Sequence, residues 1–137
     1  MTVCEDTFSR VLEVPPAPPK EAHRYFLNKL TCETDPSDVH ADIVNKKNDF
    51  VLVDVRSFEA YQSGHAQGAV HIPHKDMTEE RMAEFLKDQI FVVYCWGPGC
   101  NGASKAAFKL SGLGFAVKEM IGGIEYWEKE GYPVEKN

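Results

Sequence analysis

Ile90-Phe91-Val92-Val93-Tyr94-Cys95-Trp96-Gly97-Pro98-Gly99-Cys100-Asn101-Gly102-Ala103-Ser104 reads as a buried strand, a glycine-rich turn and a helix start in direct succession. The five apolar residues before Cys95 form a continuous run with no polar alternation, the pattern of a strand covered on both faces in a parallel sheet. Gly97, Gly99 and Gly102 let the backbone curl sharply. Lys105-Ala106-Ala107-Phe108-Lys109-Leu110 then carries helical periodicity. Cys95 is thereby delivered to the carboxyl end of a strand, at the mouth of a loop that leads into a helix.

A second such run, Phe50-Val51-Leu52-Val53-Asp54-Val55, lies upstream. Ala69-Val70-His71-Ile72, Val117-Lys118-Glu119-Met120 and Thr31-Cys32-Glu33-Thr34 are shorter strand candidates. Helical patterns fall between them. Asp35-Pro36-Ser37-Asp38 opens one, with Asp35 placed to cap, Pro36 at the first helical position, and Asn48-Asp49 as its end. Others cover Thr78 to Lys87, Ala103 to Leu113 and Ile124 to Glu130. Strands alternating with helices imply right-handed crossovers, hence an α/β fold with a central parallel sheet of about five strands flanked by helices on both faces. Ligands of such sheets bind at the carboxyl ends of the strands, here Asp54 and Cys95.

Residues 1–29 read as an N-terminal extension and 30–137 as the main domain. The run Val14-Pro15-Pro16-Ala17-Pro18-Pro19 favours an extended conformation, and Glu21 to Leu30 a short helix. The 137-residue length suits one such domain. A net charge of -6 argues against a nucleic-acid binder that works by phosphate neutralisation. No apolar stretch is long enough to span a membrane, and Met1 to Arg10 lacks the pattern of a secretory signal. Cys4, Cys32, Cys95 and Cys100 are expected as reduced thiols in a cytoplasmic protein, and their spacing builds no zinc site.

The chemistry centres on Cys95. The backbone of Trp96, Gly97, Pro98, Gly99, Cys100, Asn101 and Gly102 is expected to form an anion cradle, with the helix start adding partial positive charge. Such a setting lowers a thiol pKa and holds an anionic sulfur species. The plainer reading is an inert buried cysteine at a strand end, but a core position needs no glycine-rich turn beside it. Cys100 admits two readings: a second, resolving thiol within reach of Cys95, or a small residue packing the loop base. Because Cys100 stands nearer the helix start, it is also a candidate for the nucleophile itself. Asp54 and His65 are expected to support nearby loops by hydrogen bonding, with a catalytic-base role as the alternative, and Arg56 to pair with a carboxylate such as Glu59, with a place facing the pocket as the alternative. His71 and His74 are expected as hydrogen-bonded structural histidines, and Trp96 as a pocket wall or core residue.

Four segments in order carry a family resemblance. Asp54-Val55-Arg56 after its strand, Gly64-His65-Ala66-Gln67-Gly68-Ala69-Val70-His71-Ile72-Pro73, Phe91-Val92-Val93-Tyr94-Cys95, and Gly122-Gly123-Ile124-Glu125-Tyr126-Trp127 with Gly131-Tyr132-Pro133-Val134 are similar to the motifs of single-domain rhodaneses. The resemblance implies that fold and sulfurtransferase chemistry: Cys95 takes a sulfur as a persulfide from thiosulfate or a persulfide and passes it to a thiophilic acceptor. It implies no cofactor and no metal. The partner is then a small sulfur donor or a persulfide-bearing protein, and a homodimer is compatible with the sequence. The loop after Cys95 looks longer than the common rhodanese loop and lacks the basic residue often found there; Lys105 is the first cation after Cys95. This departure counts against efficient use of thiosulfate, a dianion, without removing it from the donors the resemblance implies, and against the related phosphatase or arsenate reductase chemistry. The alternative is a non-enzymatic redox-sensing or protein-binding module that uses the Cys95/Cys100 pair.

Overall fold

The computed structural model describes residues 8–137, so the start of the extension, with Cys4, lies outside the described residues. In chain order the elements are α1 (Pro19–Cys32), β1 (Glu33–Thr34), α2 (Pro36–Val44), β2 (Val51–Asp54), α3 (Phe58–Ser63), β3 (His65–Ala66) and β4 (Val70–His71). A single 3-10 turn (His74–Asp76) follows, then α4 (Glu79–Met82), β5 (Ile90–Tyr94), α5 (Gly102–Gly112), β6 (Ala116–Met120), α6 (Gly123–Lys129) and β7 (Val134–Glu135). Contacts divide the chain between Leu30 and Thr31. Among the described residues, no helix is long and apolar enough to cross a membrane.

The main unit is built on a five-stranded sheet in the order β1-β6-β5-β2-β4, with every pairing parallel. The two apolar runs lie side by side at its centre, Val51 beside Phe91 and Asp54 beside Tyr94, so both strands end at the same edge. Successive side chains of a strand point to opposite faces. Val53, Val55, Phe91, Val93 and Cys95 therefore enter one core, together with Ala103, Ala106 and Leu110 of α5. Leu52, Val92 and Tyr94 enter the other, with Val39 of α2 and Ile124 and Trp127 of α6. Burial on both faces is why these strands show no polar alternation, and each fully buried Val or Phe side chain there contributes about 1.5–3 kcal/mol.

Local chemistry fixes several boundaries. Asp35 caps α2 by accepting from the Asp38 backbone N–H at 2.8 Å, with Pro36 as the first helical residue. That helix stops at Val44, short of Asn48-Asp49, as Lys46 takes a left-handed backbone with φ 55°. α1 starts inside the proline run and continues through Thr31 and Cys32, because no Gly or Pro interrupts it before Pro36. The long helix expected from Thr78 shrinks to α4: past Met82 the chain bends, and Phe85 meets the Phe91 ring edge-on at 5.2 Å.

Two features lie outside the sequence expectation. α3 is capped by Ser57, whose hydroxyl accepts from the Ala60 N–H at 3.2 Å. β3 and β7 form a separate antiparallel pair, His65 opposite Glu135 and Ala66 opposite Val134. The Gly64–Pro73 and Gly131–Val134 segments are thus stitched together. Gln67 N–H donates to Pro133 O at 3.1 Å, and Trp127 Nε1–H donates to the same carbonyl at 2.8 Å.

Candidate active site

Cys95 follows the last residue of β5 at the sheet's carboxyl edge and is 6% exposed. The loop after it folds back on itself. Cys100 N–H donates to Gly97 O at 3.0 Å, and α5 begins two residues later at Gly102. Cys95 and Cys100 are paired as a disulfide, with Cα atoms 6.5 Å apart, inside the range a disulfide spans. This corrects the expectation of reduced thiols for two of the cysteines, since the curled turn brings both sulfurs to one place; Cys32 is free and exposed.

The loop's amides divide into groups. Cys100 N–H is turned onto Gly97, and Gly102 N–H points at Cys100 Sγ at 3.5 Å. Pro98, counted in the expected cradle, has no N–H to offer. The positive end of α5 thus faces the sulfur pair, an interaction of about 0.3–1 kcal/mol for an anion near a helix start.

The loop is held from behind by α6. Ile124 N–H donates to Cys95 O at 3.0 Å and Glu125 N–H to Trp96 O at 2.9 Å. Residues of the Gly122-Gly123 turn, together with Asp35 and Pro36 of the α2 start and Glu119 to Ile121 of the β6 end, wall a cleft of about 520 Å³ over the two cysteines. Tyr126 and Pro98 complete its apolar lining, and Asp35, Glu119 and Glu130 are its charged residues. Among the described residues no Lys or Arg lines it, and Lys105 lies in a separate depression with Phe108 and Lys109. The glycine doublet was visible in the sequence as a motif. Its position behind Cys95, and the contributions of Asp35, Glu119 and Glu130, depend on the sheet order.

Asp54, Arg56 and His65 are gathered elsewhere. Asp54 is fully buried and accepts from the Arg56 side chain through Nε at 3.0 and 3.1 Å and Nη2 at 2.7 Å. The expected Arg56–Glu59 pair is therefore corrected: Arg56 is 5% exposed, and a buried guanidinium takes the buried carboxylate two residues before it. Arg56 also donates to Gly64 O at 2.6 Å. His65 Nδ1 lies 2.8 Å from Tyr61 O, and its ring stacks on Tyr61 at 3.8 Å. None of the three lines the Cys95 cleft. Trp96 does not wall it either: its ring is 53% exposed and covers the Arg56 guanidinium at 4.6 Å.

His71 is hydrogen-bonded as expected, with Nε2 2.7 Å from Arg56 O. His74 departs from expectation, because its Nδ1 is buried without a hydrogen-bond partner. Desolvation, reinforced by Lys109, Lys105 and Lys75, pushes its pKa below the ordinary histidine value. The unfolded chain then binds the proton more readily, so stability is full above the ordinary histidine pKa and falls as pH drops through it. His74→Asn is expected to flatten that acid limb, read as melting temperature from roughly pH 7 to pH 5. An unchanged slope would show that His74 does not set it.

The comparisons with known proteins match this fold. Residues 35–130 match the model of the rhodanese-like domain. The crystal structure of the BH2092 protein from Bacillus halodurans superposes with a TM-score of 0.83 at 46% identity, covering 87% of each chain. The rhodanese-like domain of the Anabaena protein Alr3790 superposes at 0.69 with 27% identity, covering 77% of this chain and 79% of that one. Thiosulfate sulfurtransferase GlpE of Actinobacillus succinogenes is 35% identical over 96 residues, 69% of this chain and 82% of the relative. The HTH-type transcriptional regulator Rv0324 of Mycobacterium tuberculosis is 39% identical over 85 residues, 62% of this chain but 37% of the regulator. The chain spans well under two thirds of the length of the first curated relatives it matches. Its parallel sheet and these matches agree: the chain belongs to the rhodanese-like domain family.

Proposed function

We propose that the protein is a sulfurtransferase that carries a persulfide on Cys95. The observation that carries this reading is the placement of Cys95 at the strand end, on the floor of a cleft and facing the start of α5. In the reduced protein the Cys95 thiolate attacks the outer sulfur of a donor, displaces the donor's thiolate and holds the sulfur as Cys95–S–SH. A thiophilic acceptor then removes that sulfur and regenerates the thiolate. The backbone amides of residues 96–102, Pro98 and Cys100 aside, cradle the anionic sulfur, and neither step calls for a metal or a cofactor.

The cleft's charge narrows the donor class. Asp35, Glu119 and Glu130 line it with no opposing Lys or Arg among the described residues, which disfavours thiosulfate. A volume of about 520 Å³ admits an amino-acid-sized persulfide or the tip of a persulfide-bearing protein loop. A reducing cytoplasm would keep both loop cysteines available as thiols.

The test is intact-protein mass spectrometry of reduced protein given cysteine persulfide or thiosulfate. Cys95→Ser is expected to abolish sulfur uptake, and in the wild type thiosulfate is expected to work at least about tenfold more slowly than the persulfide. The Cys95–Cys100 pairing favours a second reading, a redox module without turnover. Loss of two hydrogens from the wild type, with neither sulfur retained on the protein nor sulfide released from either donor, would establish that reading instead.

A further inference from the structure

We infer that Cys100 is a resolving thiol, and that the protein reduces bound persulfide sulfur to sulfide. The inference rests on Cys95 being the persulfide carrier. Three observations converge on Cys100. Its sulfur already occupies bonding reach of Cys95, across Cα atoms 6.5 Å apart. Its position is fixed by the turn that returns its N–H to Gly97 O. The space shared by the two sulfurs exists because residue 102 has no side chain: a Cβ there would stand 2.8 Å from Cys95 Sγ and 3.5 Å from Cys100 Sγ.

The local field also suits Cys100 as the attacking group. Gly102 N–H points at its sulfur, and α5 starts there, so both favour the thiolate over the thiol. Cys100 lines the same cleft as Cys95, so the leaving sulfur has a path out.

The steps balance. A donor R–S–SH and Cys95–S⁻ give Cys95–S–SH and R–S⁻. Cys100–S⁻ then attacks Cys95 Sγ, the bond from Cys95 Sγ to the outer sulfur breaks, and HS⁻ leaves. The outer sulfur gains two electrons, and the two cysteines are oxidised to the disulfide. A dithiol reductant, supplied as a small molecule or by a protein, returns the pair to thiols and is itself oxidised to a disulfide. The disulfide in the structure is the state that follows sulfide release.

The experiment is one turnover of the reduced, desalted full chain with cysteine persulfide and no added reductant, read by intact mass and by released sulfide. The wild type is expected to release about one equivalent of sulfide and to end two hydrogens lighter with no retained sulfur. Cys100→Ser, and independently Cys100→Ala, is expected to retain the sulfur on Cys95 and to release sulfide at least about tenfold more slowly. Gly102→Ala keeps both thiols but crowds them, and is expected to slow release while sulfur accumulates. A wild type that retains its sulfur as long as the Cys100 variants, with equal sulfide, overturns the resolving role and leaves the carrier standing. No sulfur uptake and no sulfide from any form overturns both.

Discussion

Asp54→Ala is expected to destabilise the fold by about 3–5 kcal/mol, the cost of leaving a buried charge without its partner. Asp54 is the meeting point of three donors. It accepts from the Arg56 backbone N–H at 2.9 Å, from the Arg56 guanidinium, and from Tyr94 OH at 2.8 Å. Tyr94 is held as a donor because burial, then the nearby Asp54 charge, pushes its hydroxyl pKa far up. Its oxygen in turn accepts from the Ala66 N–H at 3.0 Å, which ties the β3–β7 clamp to the central sheet. Removing the carboxylate leaves a guanidinium with Gly64 O as its remaining hydrogen-bond acceptor, and it strands the tyrosine hydroxyl. Arg56→Met removes the charge that needs compensation, so the double variant is expected to lose less than the sum of the two single losses. Urea midpoints at neutral pH of the two single variants and the double test this. A loss below about 1 kcal/mol for Asp54→Ala would show that the network is not structural. Sulfur uptake by the folded fraction is expected to survive, because Cys95 enters the core on the face opposite Tyr94. Loss of uptake at full folding would instead make Asp54 part of the chemistry.

What the sequence made legible follows the same physics. β2 and β5 could be read because burial on both faces leaves unbroken apolar runs, and adjacent parallel strands must end at one edge. That placed Cys95 and Asp54 correctly along the chain, and the glycine turn marked which of the two leads into a helix. The alternation that sends Asp54 to one face and Cys95 to the other was latent in the parity of β2 and β5, but it separates two functions only once the clusters are known. Arg56 was read by the habits of surface ion pairs; its burial, which no local pattern announces, decides for Asp54. β3 and β7 are two residues each, too short for any periodicity. The cleft walls come from the start of α2 and the end of β6, far apart in sequence and united only by the order β1-β6-β5.

Gly123→Ala is expected to be damaging in a way that Gly131→Ala is not. Both positions have positive φ, 59° and 79°, so an alanine at either carries the cost of a left-handed backbone, about 1–2 kcal/mol. At Gly131 a new Cβ meets nothing within 4 Å. At Gly123 it would stand 2.5 Å from Cys95 O, 2.7 Å from Trp96 C and 2.8 Å from Gly97 N. These are backbone atoms, so relief requires moving the cysteine loop away from α6. That motion breaks the Ile124–Cys95 and Glu125–Trp96 hydrogen bonds, worth about 1 kcal/mol each. The total expected for Gly123→Ala is about 3–4 kcal/mol, against about 1–2 kcal/mol for Gly131→Ala. The same displacement moves Cys95 relative to the start of α5, so sulfur uptake per folded molecule should fall at least about tenfold in Gly123→Ala and stay near wild type in Gly131→Ala. Unfolding midpoints and single-turnover uptake on the two variants separate the backbone cost from the contact. Equal losses at both positions would mean that the close approach of α6 to the cysteine loop neither stabilises the fold nor positions the sulfur.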